Sequence, residues 1–390
     1  MFRNGPILPG ATIGIIGGGQ LGRMMMLAAR TMGYKVRALD PDPHCPARVL
    51  ADELIVAPLS DPAAAAKLAR QCAVVTIEIE RIGIFGLEEC ARYAPVRPGS
   101  RLLALVQDRA AQKAWLGKHG YPIGAWRSAP SFDDLHRAAM EFGFDAYVKA
   151  CRGGYDGGAQ ARIRRASDVA EAWSAMGPQA YVVEQALDLE AEISVLVARR
   201  PSGESVVYPP ALNHHEERIL SWSVLPAPIA PSIIRDAQTL AADIANTIGL
   251  EGLLVVEMFI DRRRGLLINE LAPRPHNSYH SSEQACATSQ FEQAVRAICD
   301  LPLGSTEVLR PVAIANLLGD LWRDQEPPPF EKVLSISGVR LHLYDKFPPR
   351  PRRKMGHLAA TGETPEHAVA KAKVGMERLR ESRDRGSKSA

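Results

Sequence analysis

The stretch Gly252-Leu-Leu-Val-Val-Glu257-Met-Phe-Ile260 runs through Asp261-Arg-Arg-Arg-Gly265 into Leu266-Leu-Ile-Asn269-Glu270. Two apolar runs separated by a short polar turn predict an antiparallel hairpin, with one carboxylate closing each strand. Glu257 and Glu270 would then lie side by side. Mg²⁺ prefers carboxylate and phosphate oxygens, so this pair predicts a metal-nucleotide site for one or two ions. Solvated strand-end acids are the alternative interpretation of these two residues alone.

The segment after Glu270 is dense in polar side chains. Arg274, His276, Asn277 and Ser278 follow closely on one another, and prolines flank Arg274 on both sides. A rigid loop rich in hydrogen-bond donors favours anion binding beside the predicted metal.

Composition limits the kinds of partner that the chain can have. Its 390 residues are 46% hydrophobic and 23% charged, which is typical of a globular protein with two or three domains. A net charge of +3 without a basic block predicts small anionic substrates and no nucleic-acid partner. The six cysteines form no C-x-x-C pair, so we expect no disulfide framework and a cytoplasmic location. We expect no membrane association, because no apolar run approaches the roughly 20 residues of a membrane helix.

The order of apolar segments predicts a mixed α/β and α+β fold. Strands and helices alternate over residues 10–100, which predicts a parallel α/β domain. A helix over 101–120 opens a second domain, 101–305, whose strands and Gly-rich or charged turns favour antiparallel pairing. Residues 311–375 are expected to form a small C-terminal domain, and the charged tail 381–390 is expected to be disordered.

The N-terminal turn Gly17-x-Gly19-x-x-Gly22 follows a strand and opens a helix, with Asp40 at the end of the next strand. This spacing is close to that of a dinucleotide site and alone would favour an NAD-dependent oxidoreductase. The glycines predict only a tight turn whose backbone amides can approach an anion. A phosphate or ribose of a ligand other than NAD would therefore fit this turn equally well.

A second Gly-rich segment, residues 152–158, follows the strand that ends at Lys149. Its backbone amides and the lysine charge favour a triphosphate, although an ordinary Gly-rich hairpin is the alternative. Further on, residues 184–187 offer Glu184 as an exposed acceptor, with backbone groups, for an adenine edge, and Glu192 could accept from ribose hydroxyls. The order of these features, ending in the carboxylate pair, favours nucleotide binding more than any one of them.

Taken together, the sequence resembles the ATP-grasp superfamily and, within it, the N5-carboxyaminoimidazole ribonucleotide synthase family. The resemblance spans nearly the whole chain. The stretches that carry it are Gly14–Met24, Gln107–Arg109 with Lys113, Gly153–Gly157, Glu192–Ser194, Asn269–Ser278, Ser289–Glu292 and Arg353–His357.

This resemblance implies an ATP-grasp fold with a Rossmann-like N-terminal domain, a lid subdomain at about 118–187 and a small C-terminal domain. It also implies a ligase that uses ATP, Mg²⁺ and bicarbonate to carboxylate 5-aminoimidazole ribonucleotide through carboxyphosphate, and a homodimer. The implied ATP contacts are Arg109, Lys149, Gly154, Tyr155, Asp156, Gly157, Gly158, Gln160, Glu184, Gln185, Ala186, Leu187, Glu192, His215, Asn269 and Glu270. Between His214 and His215, the sequence leaves the choice open.

The same resemblance implies catalytic roles for Arg274, Asp156 and Lys346, with Asp156 as a proton acceptor from the amine. Arg274, His276 and Asn277 would hold bicarbonate or carboxyphosphate, and Lys346, Arg353 and Lys354 would hold the substrate 5′-phosphate. A basic surface loop is the alternative for those three cations. The implied substrate contacts are Gly19, Gln20, Leu21, Glu80, Tyr155, Asp156, His276, Asn277, Lys346, Arg353 and Lys354.

The chain departs from the family pattern at four places. Gly158-Ala159 replaces a Lys-Gly pair, Tyr279 and Asp345 replace glycines, and Arg81 replaces asparagine. We expect weaker lid closure, a bulky ring near the site, and a carboxylate that repels the substrate phosphate or neutralises Lys346. These departures keep open an ATP-grasp ligase for a different amine and acid. An NAD-dependent oxidoreductase and a catalytically silent binding protein are the remaining alternatives.

Overall fold

The protein, seen in a computed structural model, is described over residues 5–153 and 159–386, with side chains described up to residue 381 in the last helix. The N-terminal unit comprises β1 (Thr12–Ile16), α1 (Gln20–Thr31), β2 (Lys35–Asp40), β3 (Glu53–Val56), α2 (Pro62–Ala69), β4 (Val74–Ile77) and α3 (Ile84–Ala91). Its strands pair in parallel in the order β3–β2–β1–β4, which confirms the parallel α/β unit expected from the alternating pattern.

The single helix expected over 101–120 is two helices, α4 (Ser100–Val106) and α5 (Arg109–Lys118). Asp108 lies between them, and its carboxylate accepts hydrogen bonds from two backbone amides of the first turn of α5. Aspartate is a strong N-cap, so it starts a new helix where the apolar pattern alone predicts continuation. The break places Arg109 at the start of α5.

A small antiparallel sheet follows. Its strands are β5 (Trp126–Ala129), β6 (Ala146–Ala150), β7 (Gln160–Ile163) and β8 (Tyr181–Gln185). Helix α6 (Phe132–Glu141) lies between β5 and β6 in the chain, and α7 (Ala166–Met176) lies between β7 and β8. The strand order is β5–β8–β6–β7, and α6 buries Leu135, Ala138 and Ala139 at helical spacing. The connection from β6 to β7 includes residues 154–158, which lie outside the described residues.

The largest sheet is antiparallel and carries the predicted carboxylate hairpin. Its elements and neighbours are β9 (Leu189–Arg199), β10 (Ser205–Val207), β11 (Ala211–Glu216), β12 (Ile219–Leu225), α8 (Pro231–Thr247), β13 (Gly252–Asp261), β14 (Gly265–Ala272), α9 (Ser282–Ala285), α10 (Gln290–Ile298), β15 (Val312–Leu318), α11 (Glu331–Leu334), β16 (Val339–Leu343), β17 (Lys354–Thr361) and α12 (Pro365–Gly386). The strand order is β14–β13–β9–β11–β12–β15–β17–β16, with β10 paired to β9.

The C-terminal strands extend this sheet. β15 pairs antiparallel with β12, so the segment expected as a small C-terminal domain shares its sheet with the preceding one. α12 continues to Gly386, into the tail 381–390 that was expected to be disordered, and the disorder of that tail stays a prediction. Glutamate and arginine are good helix formers, and here that preference extends the helix. Residues 387–390 lie outside the described part of the chain.

The six cysteines are free thiols, and Cys72 alone among them is not fully buried. No helix within the described ranges has both the length and the apolar character needed to cross a bilayer.

Candidate active site

Glu257 and Glu270 lie directly opposite each other across the β13–β14 pair. Facing residues of an antiparallel pair have Cβ atoms about 5 Å apart, so the predicted hairpin and its adjacent carboxylates are confirmed. From the sequence, β13 was expected to end at Glu257, but the strand continues to Asp261. There the Asp261 carboxylate accepts hydrogen bonds from the amides of Arg263 and Arg264, which forms the turn.

A β-bulge beside Glu257 places Asn269 in the site. The register passes from Glu257 opposite Glu270 to Met258 opposite Ile268, so Asn269 has no partner in the ladder. Bulges redirect side chains in this way. The Asn269 amide nitrogen donates to Glu257 Oε2 (3.4 Å), and its oxygen accepts from Lys149 Nζ (3.3 Å). Asn269 thus connects the carboxylate pair to the lysine of the smaller sheet.

His276 holds the other oxygen of Glu257. The His276 Nδ1 accepts from the Ser278 amide (3.4 Å), so the ring proton is on Nε2, which lies 3.0 Å from Glu257 Oε1. Burial by itself would raise the pKa of Glu257, but the hydrogen bond from His276 and the nearby positive charges lower it. Glu257 is therefore a carboxylate with a fixed orientation.

Glu270 pairs with Arg109 at the start of α5. The charge of Glu270 is the main reason that the pKa of Arg109 is raised above its ordinary value. Glu257 and Glu270 are both partly exposed, at 18% and 32% of their side-chain surface. Two carboxylates on neighbouring strands, both partly exposed to solvent, suit a hard cation such as Mg²⁺, which prefers anionic oxygen ligands.

Glu184 has a different position from the one expected. Instead of being an exposed acceptor for adenine, its Oε2 lies 3.1 Å from Lys149 Nζ and 3.4 Å from Lys113 Nζ, and only 12% of its side chain is exposed. Burial opposes ionisation, but the two lysines lower the pKa of Glu184 to about 2. Lys113 is nearly buried and needs this counter-charge, which explains why the carboxylate points inward.

A cavity of about 380 Å³ lies between the two antiparallel sheets. It is lined by these members of the predicted site: Gln20, Leu21, Arg109, Lys149, Gln160, Glu184, Gln185, Leu187, Glu192, His215, Glu257, Asn269, Glu270, Arg274, His276, Asn277 and Lys354. Ala186 does not line it, and its amide donates to the Asp145 carbonyl. The structure thus brings most of the predicted nucleotide and substrate residues to one place.

The walls of this cavity include residues that the sequence analysis did not assign. Tyr147, Leu189, Leu220 and Phe259 give it apolar surface, and the Arg218 guanidinium donates to the Gln160 carbonyl at 2.6 Å. Residues two apart on a strand lie on the same face of the sheet. The sequence could therefore have predicted that Tyr147 lies beside Lys149, and Phe259 beside Glu257, in the same site.

The structure also separates the two adjacent histidines. A bulge between His214 and His215 turns His215 into the cavity, where its Nδ1 lies 2.6 Å from Glu192 Oε2. Burial would lower the pKa of His215, but Glu192 and the more distant Glu257 raise it. His214 instead stacks on Trp222, with ring centroids 4.9 Å apart. Glu192 is therefore paired with an imidazole on the cavity wall.

The predicted anion loop contains a buried side-chain amide, that of Asn277. Neither the oxygen nor the nitrogen of the Asn277 side chain has a hydrogen-bond partner among the described residues, although Asn277 is buried and faces the cavity. Arg274 lies beside it, with Nε 2.7 Å from Glu80 Oε1. A buried amide left unsatisfied by the protein indicates a ligand or an ordered water at this position.

The N-terminal Gly-rich turn is occupied by the protein's own carboxylates. Glu78 accepts hydrogen bonds from the amides of Gly19 (2.8 Å) and Gly22 (2.9 Å), and Asp40 accepts one from Gly18 (2.6 Å). The amides that would bind a dinucleotide pyrophosphate are therefore already used. This geometry argues against the NAD-dependent oxidoreductase.

The three cations expected at the substrate phosphate are not equally placed. Lys354 is buried and lines the cavity, whereas the Arg353 guanidinium donates to the Pro348 carbonyl (2.8 Å). Lys346 lies over the Tyr344 ring, 5.7 Å from its centroid. Lys346 also acts on the buried Glu78 through its charge. Lys354 and Lys346 thus both lie near the end of the cavity formed by the N-terminal turn.

Two of the departures have consequences other than those expected. The Tyr279 ring is buried away from the cavity, and its hydroxyl bonds to the backbone of Ser194, Leu196 and Pro209. Asp345 adopts a left-handed φ of +57°, which aspartate tolerates, and its carboxylate lies 3.5 Å from Arg48. Neither substitution places the expected obstacle in the site. Arg81 donates to the Gly153 carbonyl (3.0 Å), beside the Gly-rich segment.

The remaining predicted residues, Gly154, Tyr155, Asp156, Gly157 and Gly158, lie outside the described residues. Their assignment to ATP, to the ribonucleotide and to a closing lid stays a prediction. Ala159, the second residue of the departing pair, lines the cavity.

Three family profiles match successive parts of the chain. They are the ribonucleotide synthetase preATP-grasp domain over residues 10–107, the ATP-grasp domain over 114–291, and the phosphoribosylaminoimidazole carboxylase C-terminal domain over 312–371. The expected ATP-grasp fold, with its preceding and following domains, is thus confirmed.

Named relatives cover nearly the full chain. The N5-carboxyaminoimidazole ribonucleotide synthase of Bacillus subtilis is 39% identical over 90% of this chain and 92% of its own length. The crystal structure of the Staphylococcus aureus synthetase with ADP has a TM-score of 0.89 at 33% identity, and covers 95% of this chain and 98% of that one. An Aspergillus clavatus synthase in complex with ADP and 5-aminoimidazole ribonucleotide has a TM-score of 0.89 at 29% identity, covering 95% and 99%.

Proposed function

The chain belongs to the N5-carboxyaminoimidazole ribonucleotide synthase family, and we propose on this basis that it carboxylates the amino group of 5-aminoimidazole ribonucleotide with bicarbonate and ATP. The products are N5-carboxyaminoimidazole ribonucleotide, ADP and phosphate. The reaction is a step in purine biosynthesis.

Bicarbonate is a poor electrophile and must be activated before an amine can attack it. Transfer of the ATP γ-phosphoryl group to a bicarbonate oxygen gives carboxyphosphate and ADP. The amine then attacks the carboxyphosphate carbon, the C–O bond to phosphate breaks, and one amine proton leaves. Phosphoryl transfer depends on positioning and charge neutralisation, which Lys149 and Arg109 supply from the wall of the cavity.

The buried amide of Asn277 carries this proposal. Among the described residues, nothing pairs with its donor or its acceptor, and Arg274 lines the same cavity. Bicarbonate has negatively charged oxygens and one O–H group, so it can satisfy the donor and the acceptor together. His276 borders the same space and keeps its Nε2 proton directed at Glu257.

We also propose that Glu257 and Glu270 hold Mg²⁺, whose charge would neutralise the phosphate oxygens of ATP. Their exposure and their oxygen donors support this assignment. Lys354 and Lys346 would bind the ribonucleotide phosphate near the Gly19–Leu21 turn, and Asp156 would accept the amine proton.

Phosphate release from ATP, measured with and without bicarbonate and aminoimidazole ribonucleotide, tests the function. We expect release to require bicarbonate and to be accelerated by the ribonucleotide, and we expect Asn277→Ala to raise the KM for bicarbonate by at least about tenfold with little change in the KM for ATP. The exposed residue His367 supplies the control variant His367→Gln, which should match wild type. ATP turnover that is indifferent to the ribonucleotide would point to a different amine substrate.

The same assay tests the metal assignment. Glu257→Gln and Glu270→Gln should each lower the rate by at least about 100-fold at saturating ATP, because each removes an anionic ligand. Wild-type turnover in either variant would refute the assignment.

A homodimer and a cytoplasmic location complete the proposal. Leu27 on α1 and Phe85 on α3 are 45% and 63% exposed, and they support an interface on the helices of the N-terminal unit. Light scattering coupled to size-exclusion chromatography would measure the mass, and Phe85→Glu should give a monomer if this surface is the interface.

A further inference from the structure

A cluster of metal-ligating side chains lies outside the proposed catalytic cavity. Glu283 on α9, His342 on β16 and His357 on β17 each bring one ligand atom to within 4.8 Å of the others. None of the three lines the cavity described above. Nucleotide chemistry therefore does not account for the cluster.

The fold brings the two histidines together by strand register. His342 and His357 are directly opposite in the antiparallel β16–β17 pair. Opposite residues project to the same face, and their imidazole rings stack with centroids 4.4 Å apart and planes 6° from parallel. α9 packs against β17 and adds Glu283, whose Oε2 lies 3.7 Å from His342 Nδ1.

His357 has a nitrogen available for a metal. It is fully buried, its Nδ1 lies 2.7 Å from the Tyr344 hydroxyl, and its Nε2 has no hydrogen-bond partner among the described residues. If Nδ1–H donates to the hydroxyl oxygen, Nε2 carries a lone pair. Histidines that bind metals are commonly held through the second ring nitrogen in this manner.

His342 is held in a comparable way. Its Nε2 lies 3.2 Å from the Gln284 amide nitrogen, while the buried Gln284 oxygen has no hydrogen-bond partner within the described part of the chain. Exchanging the two amide atoms of Gln284 would let its oxygen accept from His342 Nε2–H. Nδ1, the nitrogen that faces Glu283, would then be free to bind a cation. Burial also lowers the pKa of both His342 and His357, which keeps the rings neutral as a metal requires.

We propose that Glu283, His342 and His357 bind a transition-metal cation of the Zn²⁺ or Co²⁺ type, which connects α9 to the β16–β17 edge of the large sheet. Two imidazole nitrogens and one carboxylate oxygen form a known zinc ligand set, whereas Mg²⁺ and Ca²⁺ prefer oxygen ligands. Side-chain exposures of 30% for Glu283 and 28% for His342 provide an entry path and room for a water ligand.

The site must rearrange to bind the metal. The lone pair of an imidazole nitrogen lies in the plane of the ring, and the planes of His342 and His357 are 6° from parallel, so the partly exposed His342 ring must turn out of the stack to share an ion with His357. Bonds of about 2.1 Å place tetrahedral ligand atoms about 3.4 Å apart, whereas the separations here reach up to 4.8 Å. Glu283 Oε2 and His342 Nδ1, 3.7 Å apart, already approach this separation, and the surface side chain of Glu283 can rotate towards the ion.

Titration of the chelator-treated, full-length protein with Co²⁺ alone, without nucleotide, tests the proposal. We expect one equivalent to bind and to give the visible absorption of a four- or five-coordinate Co²⁺ ion with nitrogen ligands. Glu283→Gln and His342→Gln should each weaken binding by more than about tenfold. Glu366→Gln and His367→Gln, at two exposed positions of α12, are the matched controls and should bind as wild type does.

Two further measurements make the result decisive. Zn²⁺ should raise the melting temperature of wild type and leave that of Glu283→Gln unchanged, and circular dichroism should show that this variant folds. Absence of a stoichiometric Co²⁺ signal in wild type, or equal binding by Glu283→Gln, would overturn the proposal. A signal abolished by Glu257→Gln and retained by Glu283→Gln would also overturn it, by assigning the ion to the nucleotide site.

Discussion

Glu184→Gln should destabilise the protein strongly in the absence of any ligand. Glu184 lies between Lys149 and Lys113, with the three side chains 12%, 11% and 3% exposed. Glutamine preserves the shape of the side chain but leaves two nearly buried ammonium groups without a counter-charge. Breaking a buried ion pair from one side typically costs about 3–5 kcal/mol.

The pKa of Glu184 gives an independent estimate of the same quantity. The two lysines lower this pKa from 4.5 to about 2 in the folded protein. A shift of that size corresponds to about 3 kcal/mol of stability. Because the folded-state pKa is the lower one, the contribution is complete above pH 4.5 and is lost as the pH falls from 4.5 towards 2. Stability of Glu184→Gln should lack this part of the pH dependence.

Urea denaturation at pH 7 without nucleotide measures the effect. We expect the free energy of unfolding to fall by about 3–4 kcal/mol in Glu184→Gln and to recover by at least about 1 kcal/mol in Lys113→Met/Glu184→Gln, which removes one unpaired charge. Glu292→Gln is the control, because its pair with Arg296 is about one third exposed and should contribute under about 1 kcal/mol. A loss below about 1 kcal/mol in Glu184→Gln would refute this account of the lysine pair.

Three other substitutions test features of the fold near the site. Tyr279→Phe removes a buried hydroxyl bonded to three backbone groups, and calorimetry should show a loss of about 1–3 kcal/mol while the KM values change less than about twofold. Asp345→Gly should leave the KM for the ribonucleotide within about twofold of wild type, since the carboxylate pairs with the partly exposed Arg48; a tenfold improvement would restore the original expectation of repulsion. Gly19→Ala would drive a Cβ into the Glu78 carboxylate, and its midpoint of thermal unfolding should fall by an amount equivalent to about 1–3 kcal/mol; an unchanged midpoint would contradict the tight packing of this turn.

The parts of the site that the sequence predicted correctly are those determined by local pattern. The β13–β14 hairpin follows from two apolar runs and a polar turn, and the pairing of Glu257 with Glu270 follows from the length of that turn. The parallel N-terminal sheet follows from the alternation of strands and helices in the same way.

The errors occurred where a distant segment supplies the partner. Nothing near Glu184 in the sequence indicates that Lys113 lies within 3.4 Å of it, so its carboxylate was expected to be exposed; its contact with the nucleotide stays a prediction. The carboxylate that accepts from the amides of the Gly17–Gly22 turn, Glu78, also comes from a distant segment, the end of the neighbouring strand β4, so the sequence did not show that these amides are used within the protein. The Asn269 bulge likewise depends on the register between strands, which the hydrophobic pattern does not specify to one residue.

Continuity between β12 and β15 bears on how this polypeptide can be divided. Residues Trp222 to Leu225 of β12 pair with the first residues of β15. A fragment that ended near residue 305 would therefore leave this edge of β12 unpaired. Unpaired edge strands tend to pair with strands of other molecules. The last quarter of the polypeptide therefore acts as a cover that keeps the ATP-grasp sheet from self-association, in addition to any role in holding the ribonucleotide.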